Sequence, residues 1–223
     1  MCASGERVSF REAATRVAGA AGRRRRKPLL VAISGVDGSG KSRLAQRLAD
    51  LLEQDGRRVA LIGIDPWQNP QTVRFSATDP GTHFYRHAIR FEELFTRVID
   101  PLITERALHL ETSGIRTDRD AWEPLVYRHR DVEIVLIEGI FLFRRDLVRR
   151  YDLRIWVECS LETALRRALA RNVENRPLDA LRADYAQIYH AAQRVHLALD
   201  NPRAAADLLV DNETDVTDPE PCR

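Results

Sequence analysis

Eight consecutive residues carry the clearest chemistry in this chain. Gly35-Val36-Asp37-Gly38-Ser39-Gly40-Lys41-Ser42 is a full G-x-x-x-x-G-K-[ST] pattern. Lys41 is one of only two lysines among 35 basic residues. With this composition the pattern would arise by accident in about 4 of 10,000 chains. Glycines at these places let backbone N–H groups turn inward around phosphate oxygens, and a following helix adds the partial positive charge of its N-terminus. Lys41 would reach the β- and γ-phosphates, the Ser42 hydroxyl would ligate Mg²⁺, and Arg43 follows directly. The chemistry implied is binding of a magnesium–nucleoside triphosphate, and by itself it goes no further.

Two carboxylates extend it. Asp65 closes an apolar run in Ile64-Asp65-Pro66-Trp67, and Glu138 closes another in Leu136-Ile137-Glu138-Gly139-Ile140. One carboxylate can accept the proton of an attacking hydroxyl while a second holds Mg²⁺. The rival readings are a turn residue ahead of Pro66 for Asp65 and a structural ion pair for Glu138. Arginines supply a third element: Arg167 and Arg171 are four apart on one helical face, and Arg176 follows in an Asn-rich stretch closed by Pro177. Such a segment can close over a triphosphate, neutralise developing charge and exclude water. The bland alternative is a solvated helix face in an Arg-rich chain.

These residues need elements to position them. Leu29–Ser34, Val59–Ile64, Glu133–Glu138, Leu153–Val157 and Ala206–Val210 are short apolar runs suited to buried parallel strands. Between them, Leu44, Leu48, Leu51 and Leu52 recur at helical spacing, Phe91–Thr104 is helical in period with Pro101 inside it, and Leu178–Leu199 reads as a long helix. Strands separated by helices predict an α/β fold: a three-layer P-loop arrangement with a mostly parallel five-stranded sheet and a small helical lid. Ligands bind beyond the carboxyl ends of such strands, where Asp65 and Glu138 lie.

The expected organisation is a basic N-terminal arm over 1–28, one domain over 29–212 with a lid at about 171–180, and a flexible acidic tail over 213–223. Glu12–Ala21 has the pattern of a short helix, and Arg23–Lys27 forms a basic run before Pro28. A solvated arm is the favoured reading of that run over a nucleic-acid or lipid contact. With 223 residues, 44% of them hydrophobic, the chain can bury one sizeable core. Its net charge of +2 demands no polyanionic partner. No apolar run is long enough to span a membrane, and no secretory signal is legible. Cys2, Cys159 and Cys222 are too scattered for a disulfide framework or a metal site, which fits a reducing cytoplasm. His83 and His87 are four apart without a third ligand at a recognisable spacing, so no zinc site is expected.

Taken together, Gly35–Ser42, the Asp65 strand end, Leu136–Leu142 and Arg167, Arg171 and Arg176 resemble the uridine kinase-like P-loop kinases, a group that includes phosphoribulokinase. The resemblance spans about residues 29–212. It implies ATP and Mg²⁺ as cofactors, Asp65 as catalytic base, Glu138 and Ser42 as magnesium residues, and Arg167, Arg171 and Arg176 as lid arginines. It also implies a small-molecule hydroxyl acceptor, and a homo-oligomer is consistent with it. Acceptor binding falls to Asp65, Trp67, His83, Phe84 and Tyr85, although Pro66-Trp67-Gln68 replaces the Ser-Phe-Tyr of uridine kinases and Trp67 reads equally as a core residue. Two other readings stand beside this one. The loop is also similar to that of thymidylate kinases, but those place an arginine beside the strand-end aspartate where this chain has Pro66. A non-catalytic nucleotide sensor would need neither Asp65 nor Glu138.

Overall fold

A computed structural model describes residues 5–23, 27–116, 118–172 and 176–214 of the chain. It begins with a short strand, β1 (Glu6–Val8), and a helix, α1 (Phe10–Gly22). Ser9 and Glu12 start α1 with a reciprocal capping box: the Ser9 hydroxyl accepts the Glu12 N–H at 3.3 Å, and the Glu12 carboxylate accepts the Ser9 N–H at 2.7 Å. Ala13, Val17 and Ala21 form its buried stripe. Next come β2 (Leu29–Gly35), α2 (Lys41–Gln54) and β3 (Val59–Gly63). A run of short helices follows: α3 (Gln71–Arg74), α4 (Pro80–His87), α5 (Phe91–Leu94) and α6 (Asp100–Glu105). Strands β4 (Leu108–Arg116) and β5 (Ala121–His129) make an antiparallel hairpin of their own. Then come β6 (Ile134–Gly139), β7 (Leu153–Glu158), α7 (Leu161–Arg171), α8 (Leu178–Asp184), α9 (His190–Asp200), α10 (Pro202–Ala205) and β8 (Leu208–Asp211).

The main sheet has six strands, all parallel, in the order β1-β8-β7-β2-β6-β3. Five were expected. The sixth comes from the N-terminal segment read as a solvated arm: Val8 pairs with Val210, and α1 covers the adjoining face. The helix expected over Glu12–Ala21 is present as α1; the strand before it has no legible pattern because β1 is three residues long and carries two charged side chains. Residues 24–26 of the basic run, and 215–223 of the expected tail, lie outside the described residues.

β2 is buried at every position, as a strand covered on both faces must be. Its side chains alternate between two cores. Leu30 and Ala32 face a large aromatic-rich cluster with Phe84, Phe95, Phe141 and Trp156. Leu29, Val31 and Ile33 face the layer made by α1 and α2. The helical path expected over Phe91–Thr104 is present but passes through a π-helical turn, Phe95–Ile99, before Pro101 opens α6. The long helix expected over Leu178–Leu199 is likewise broken by a π-helical turn at Tyr185–Tyr189. Among the described residues no helix is long and apolar enough to cross a membrane.

One buried polar cluster anchors α9. The Asp200 carboxylate, on a side chain 3% exposed, accepts from Tyr85 Oη at 2.6 Å, His196 Nδ1 at 2.7 Å and the Arg145 N–H at 3.0 Å. Burial alone would raise its pKa, but these hydrogen bonds and the His196 charge outweigh it and leave the pKa lowered.

Two stability measurements follow. Val17→Ala removes side-chain volume from a position that is 0% exposed, so its urea unfolding should cost about 2 kcal/mol with unchanged slope. A solvated arm would give no change. Asp200→Asn should cost about 2 kcal/mol at pH 7. Because the folded pKa of Asp200 is depressed, its contribution is present above the unfolded carboxyl pKa and is lost as pH falls through the folded value. The gap between variant and wild type should therefore shrink in acid; a gap that is constant with pH would contradict the assignment.

Candidate functional site

The glycine-rich loop joins β2 to α2 and is pressed against neighbours that leave no room for side chains. Gly38 has φ +81°, and a methyl group there would lie 2.5 Å from the Ala164 carbonyl oxygen of α7. Gly40 has φ +88° and faces the Asn212 side chain. Asn212 Nδ2 in turn donates to the Ser39 carbonyl at 2.6 Å, so the stretch after β8 fixes the loop from one side. From the other side, Ser34 Oγ donates to the Gly139 carbonyl at 3.0 Å.

Lys41 opens α2 and is 8% exposed. Ser42 Oγ donates to Glu138 Oε2 at 3.1 Å. Glu138 reaches it because β6 lies between β2 and β3: Ile33 and Gly63 pair with Glu138 from its two sides. Burial pushes the Glu138 carboxyl above the usual range; Lys41 opposes this and the nearby Asp65 charge adds to it. A half-buried carboxylate and a hydroxyl within 3.1 Å of each other suit Mg²⁺, which takes one or two protein oxygens and fills its remaining positions with phosphate and water. Asp65 begins a 3₁₀ turn, Asp65–Trp67, just past β3, and its side chain opens onto the same cleft.

Asp37 has the most partners in the loop. Tyr185 Oη donates to it at 2.6 Å, and Arg171 Nη2 lies 3.9 Å away. Burial alone would raise its pKa, but Lys41, the Tyr185 hydroxyl and Arg171 together outweigh this and leave the pKa lowered. Tyr185 itself is pushed far up by burial and by Asp37, so it remains a hydrogen-bond donor. Its position in a π-helical turn aims it at the loop, a placement that no residue spacing announces.

Asp37, Lys41, Ser42, Asp65, Arg171 and Tyr185 line one cleft of about 710 Å³, and Glu138 adjoins it through Ser42. Its floor is Asp37, Gly38 and Gly40 to Arg43, with Arg167 and Arg171 on α7 also lining it. One end is formed by Phe10, Arg43, Arg47, Asp211 and Asn212; the other by Asp65, Gln68, Arg74, Phe84, Asp118, Ile140, Tyr189 and Gln193. Sequence reasoning missed Phe10, Arg47, Arg74, Asp118, Tyr185, Tyr189, Gln193 and Asn212, because they reach the cleft only through the packing of distant elements.

Several expected site residues lie elsewhere. Trp67 is 0% exposed; its Nε1 donates to Tyr127 Oη at 2.8 Å, which makes it a core residue and not a wall of the cleft. His83 Nε2 donates to the Val73 carbonyl at 2.8 Å. Tyr85 is spent on Asp200, 2.6 Å away. Of that stretch only Phe84 borders the cleft. Arg176 pairs with Asp184 at 2.6 Å and does not line the cleft; residues 173–175 of the expected lid lie outside those described. Arg167 lines the cleft, with Nη2 donating to the Glu213 carbonyl at 3.3 Å.

The loop geometry is directly testable. Gly38→Ala should weaken binding of magnesium–ATP by about tenfold or more, since the backbone must leave its left-handed conformation or displace α7. Calorimetric titration reads this; wild-type affinity would show that the close approach to Ala164 is not required.

Comparison with known proteins finds relatives among kinases. A family model described as the methylmalonyl Co-A mutase-associated GTPase MeaB matches residues 3–72, the stretch that contains the P-loop, and less than a third of the chain. A uridine kinase of Leuconostoc citreum is 26% identical over 152 residues, covering 67% of this chain and 71% of that protein. A thymidylate kinase of Xanthomonas campestris pv. campestris is 30% identical over 158 residues, covering 64% and 61%. The solved structure of a possible uridine kinase from Bacillus stearothermophilus superposes with a TM-score of 0.69 at 19% identity, covering 91% of this chain and 99% of that one. With a P-loop flanked by the Glu138 and Asp65 strand ends, the chain shares the fold of P-loop kinases and is similar in sequence to uridine kinases.

Proposed function

We propose that this kinase transfers the γ-phosphate of ATP to a hydroxyl of a nucleoside or a metabolite of similar size. The observation that supports it most is the placement of Asp65 and Glu138 at adjoining strand ends around Lys41 and Ser42, with the cleft continuing past Asp65. In this reading Ser42 and Glu138 would hold Mg²⁺, which would supply positive charge against the phosphates. Lys41, Arg167 and Arg171 neutralise the triphosphate. Asp65 accepts the proton of the acceptor hydroxyl as its oxygen attacks phosphorus. Because Arg176 is engaged with Asp184, the proposal gives the lid role to Arg171 and Arg167.

The charges at the acceptor end favour a neutral hydroxyl compound over a phosphorylated one. Arg74, 4% exposed, is the cation there, and it is already answered by Asp120 at 3.4 Å. Asp118 is matched by Arg116 at 2.9 Å. That leaves Asp65 facing the acceptor, which would repel a phosphate. In sequence Asp65 is followed by Pro66 and the buried Trp67, with no arginine next to it, and Arg90 beneath the turn is engaged with the Pro66 and Gln68 carbonyls. Among the described residues the one cysteine, Cys159, is free, in keeping with the cytoplasmic setting we propose.

The experiment is an ADP-release screen with ATP and Mg²⁺ across nucleosides, sugars and other hydroxylated metabolites, followed by Asp65→Asn on the best acceptor. The variant should keep its ATP affinity and lose about 10²- to 10⁴-fold in kcat. Wild-type turnover in Asp65→Asn would remove the base assignment, and silence across the panel would remove the acceptor class.

A further inference from the structure

We infer that the N-terminal strand–helix unit is a working part of the nucleotide site: Phe10, with the Arg47 guanidinium laid on its ring, is the wall against which the base of the nucleotide stacks. The inference rests on the nucleotide-binding reading of the P-loop and adds a residue from a segment that the catalytic machinery does not otherwise use.

The placement follows from the sheet. Val8 pairs with Val210 in parallel register, so Phe10 lies two residues past the pairing on one strand, as Asn212 does on the other. Asn212 is bound to the P-loop itself through Ser39. Phe10 is thereby carried to the carboxyl edge of the sheet, beside the phosphate loop, and it borders the same cleft as Lys41 and Ser42. Arg47 stands on α2 six residues beyond Lys41, about 9 Å along the helix axis. That displacement leads away from the phosphate loop to the part of the cleft where Arg47 meets Phe10. Arg43 and Arg47, four apart, share the face of α2 that lines this end.

The chemistry suits a flat heterocycle. The Arg47 guanidinium carbon sits 4.7 Å from the centre of the Phe10 ring. Among the described residues Arg47 makes no ion pair with a carboxylate, so its contact is the ring. An aromatic ring and a planar guanidinium are both stacking surfaces for a base, and stacking of this kind tolerates different bases. Phe10 is half-buried: part of its ring packs on the apolar layer beneath α1, and part borders the cleft.

The test uses the full chain and two ligands, magnesium–ATP and inorganic tripolyphosphate, which has phosphates but no base. Phe10→Leu keeps an apolar side chain on the layer below while removing the flat face. It should weaken ATP by about tenfold and leave tripolyphosphate unchanged, and Phe10→Tyr should restore ATP binding. An unchanged urea midpoint for Phe10→Leu, measured in parallel, excludes loss of fold as the cause. Arg47→Ala should also weaken ATP more than tripolyphosphate. ATP affinity equal to wild type in Phe10→Leu would overturn the inference, as would parallel loss of both ligands. A wild-type chain that binds neither ligand would instead remove the nucleotide reading on which the inference stands.

Discussion

Lys41 sits 8% exposed at the first turn of α2, and meeting its charge organises the elements around it. An ammonium taken from water needs opposite charge close by. Asp37 meets it from the loop, and Glu138 from the end of β6. Asp37 is then bound to Tyr185 and Arg171 on distant helices, and Glu138 to Ser42 beside Lys41 on α2. The buried charges are thus tied to the helices that border the cleft. Glu138 pays for its place, since burial and Asp65 both raise its pKa, and a divalent cation beside Ser42 would reverse that.

Such a cluster requires close backbone approach. Gly38 lies against the carbonyl of Ala164, and Gly139 leaves β6 against Ile64 with no space for a side chain. The sheet order makes these approaches possible. With β2 between β6 and β7, the P-loop emerges where its neighbours' carboxyl ends supply Glu138 on one side and the approach to Asn212 on the other. Asp65 follows from β3 next to β6. The cleft is therefore the rim of one sheet, completed by helices that the aromatic core holds in position.

The two ends of the cleft are built by different means. The end of the cleft at Asp65 depends on α4, the hairpin and the π-helical turn before α9, which bring Phe84, Asp118 and Tyr189 to it from distant parts of the chain. The opposite end depends on β1 and α1, which extend the sheet by a strand and carry Phe10 to the rim. An N-terminal segment rich in Ala, Gly and Arg thus serves both the core and the cleft.

The sequence by itself determined the phosphate loop, the strands around it and the two carboxylates at their ends. Each is set by local rules: glycines where no side chain fits, apolar runs where a strand is covered on both faces, and a polar residue where such a run stops. Tertiary structure decided which of the remaining aromatic and charged residues border the cleft. Trp67, His83 and Tyr85 have types suited to binding, yet each finds a partner inside the fold, in Tyr127, Val73 and Asp200. Arg176, placed among the lid arginines by spacing, is held by Asp184. Phe10, Tyr185 and Asn212 carry no such signal and reach the cleft through a strand register, a π-helical turn and a side-chain hydrogen bond. The physical reason is range: glycine conformation and strand burial act between neighbours in sequence, whereas a side chain's surroundings depend on contacts between residues as far apart as Asp37 and Tyr185.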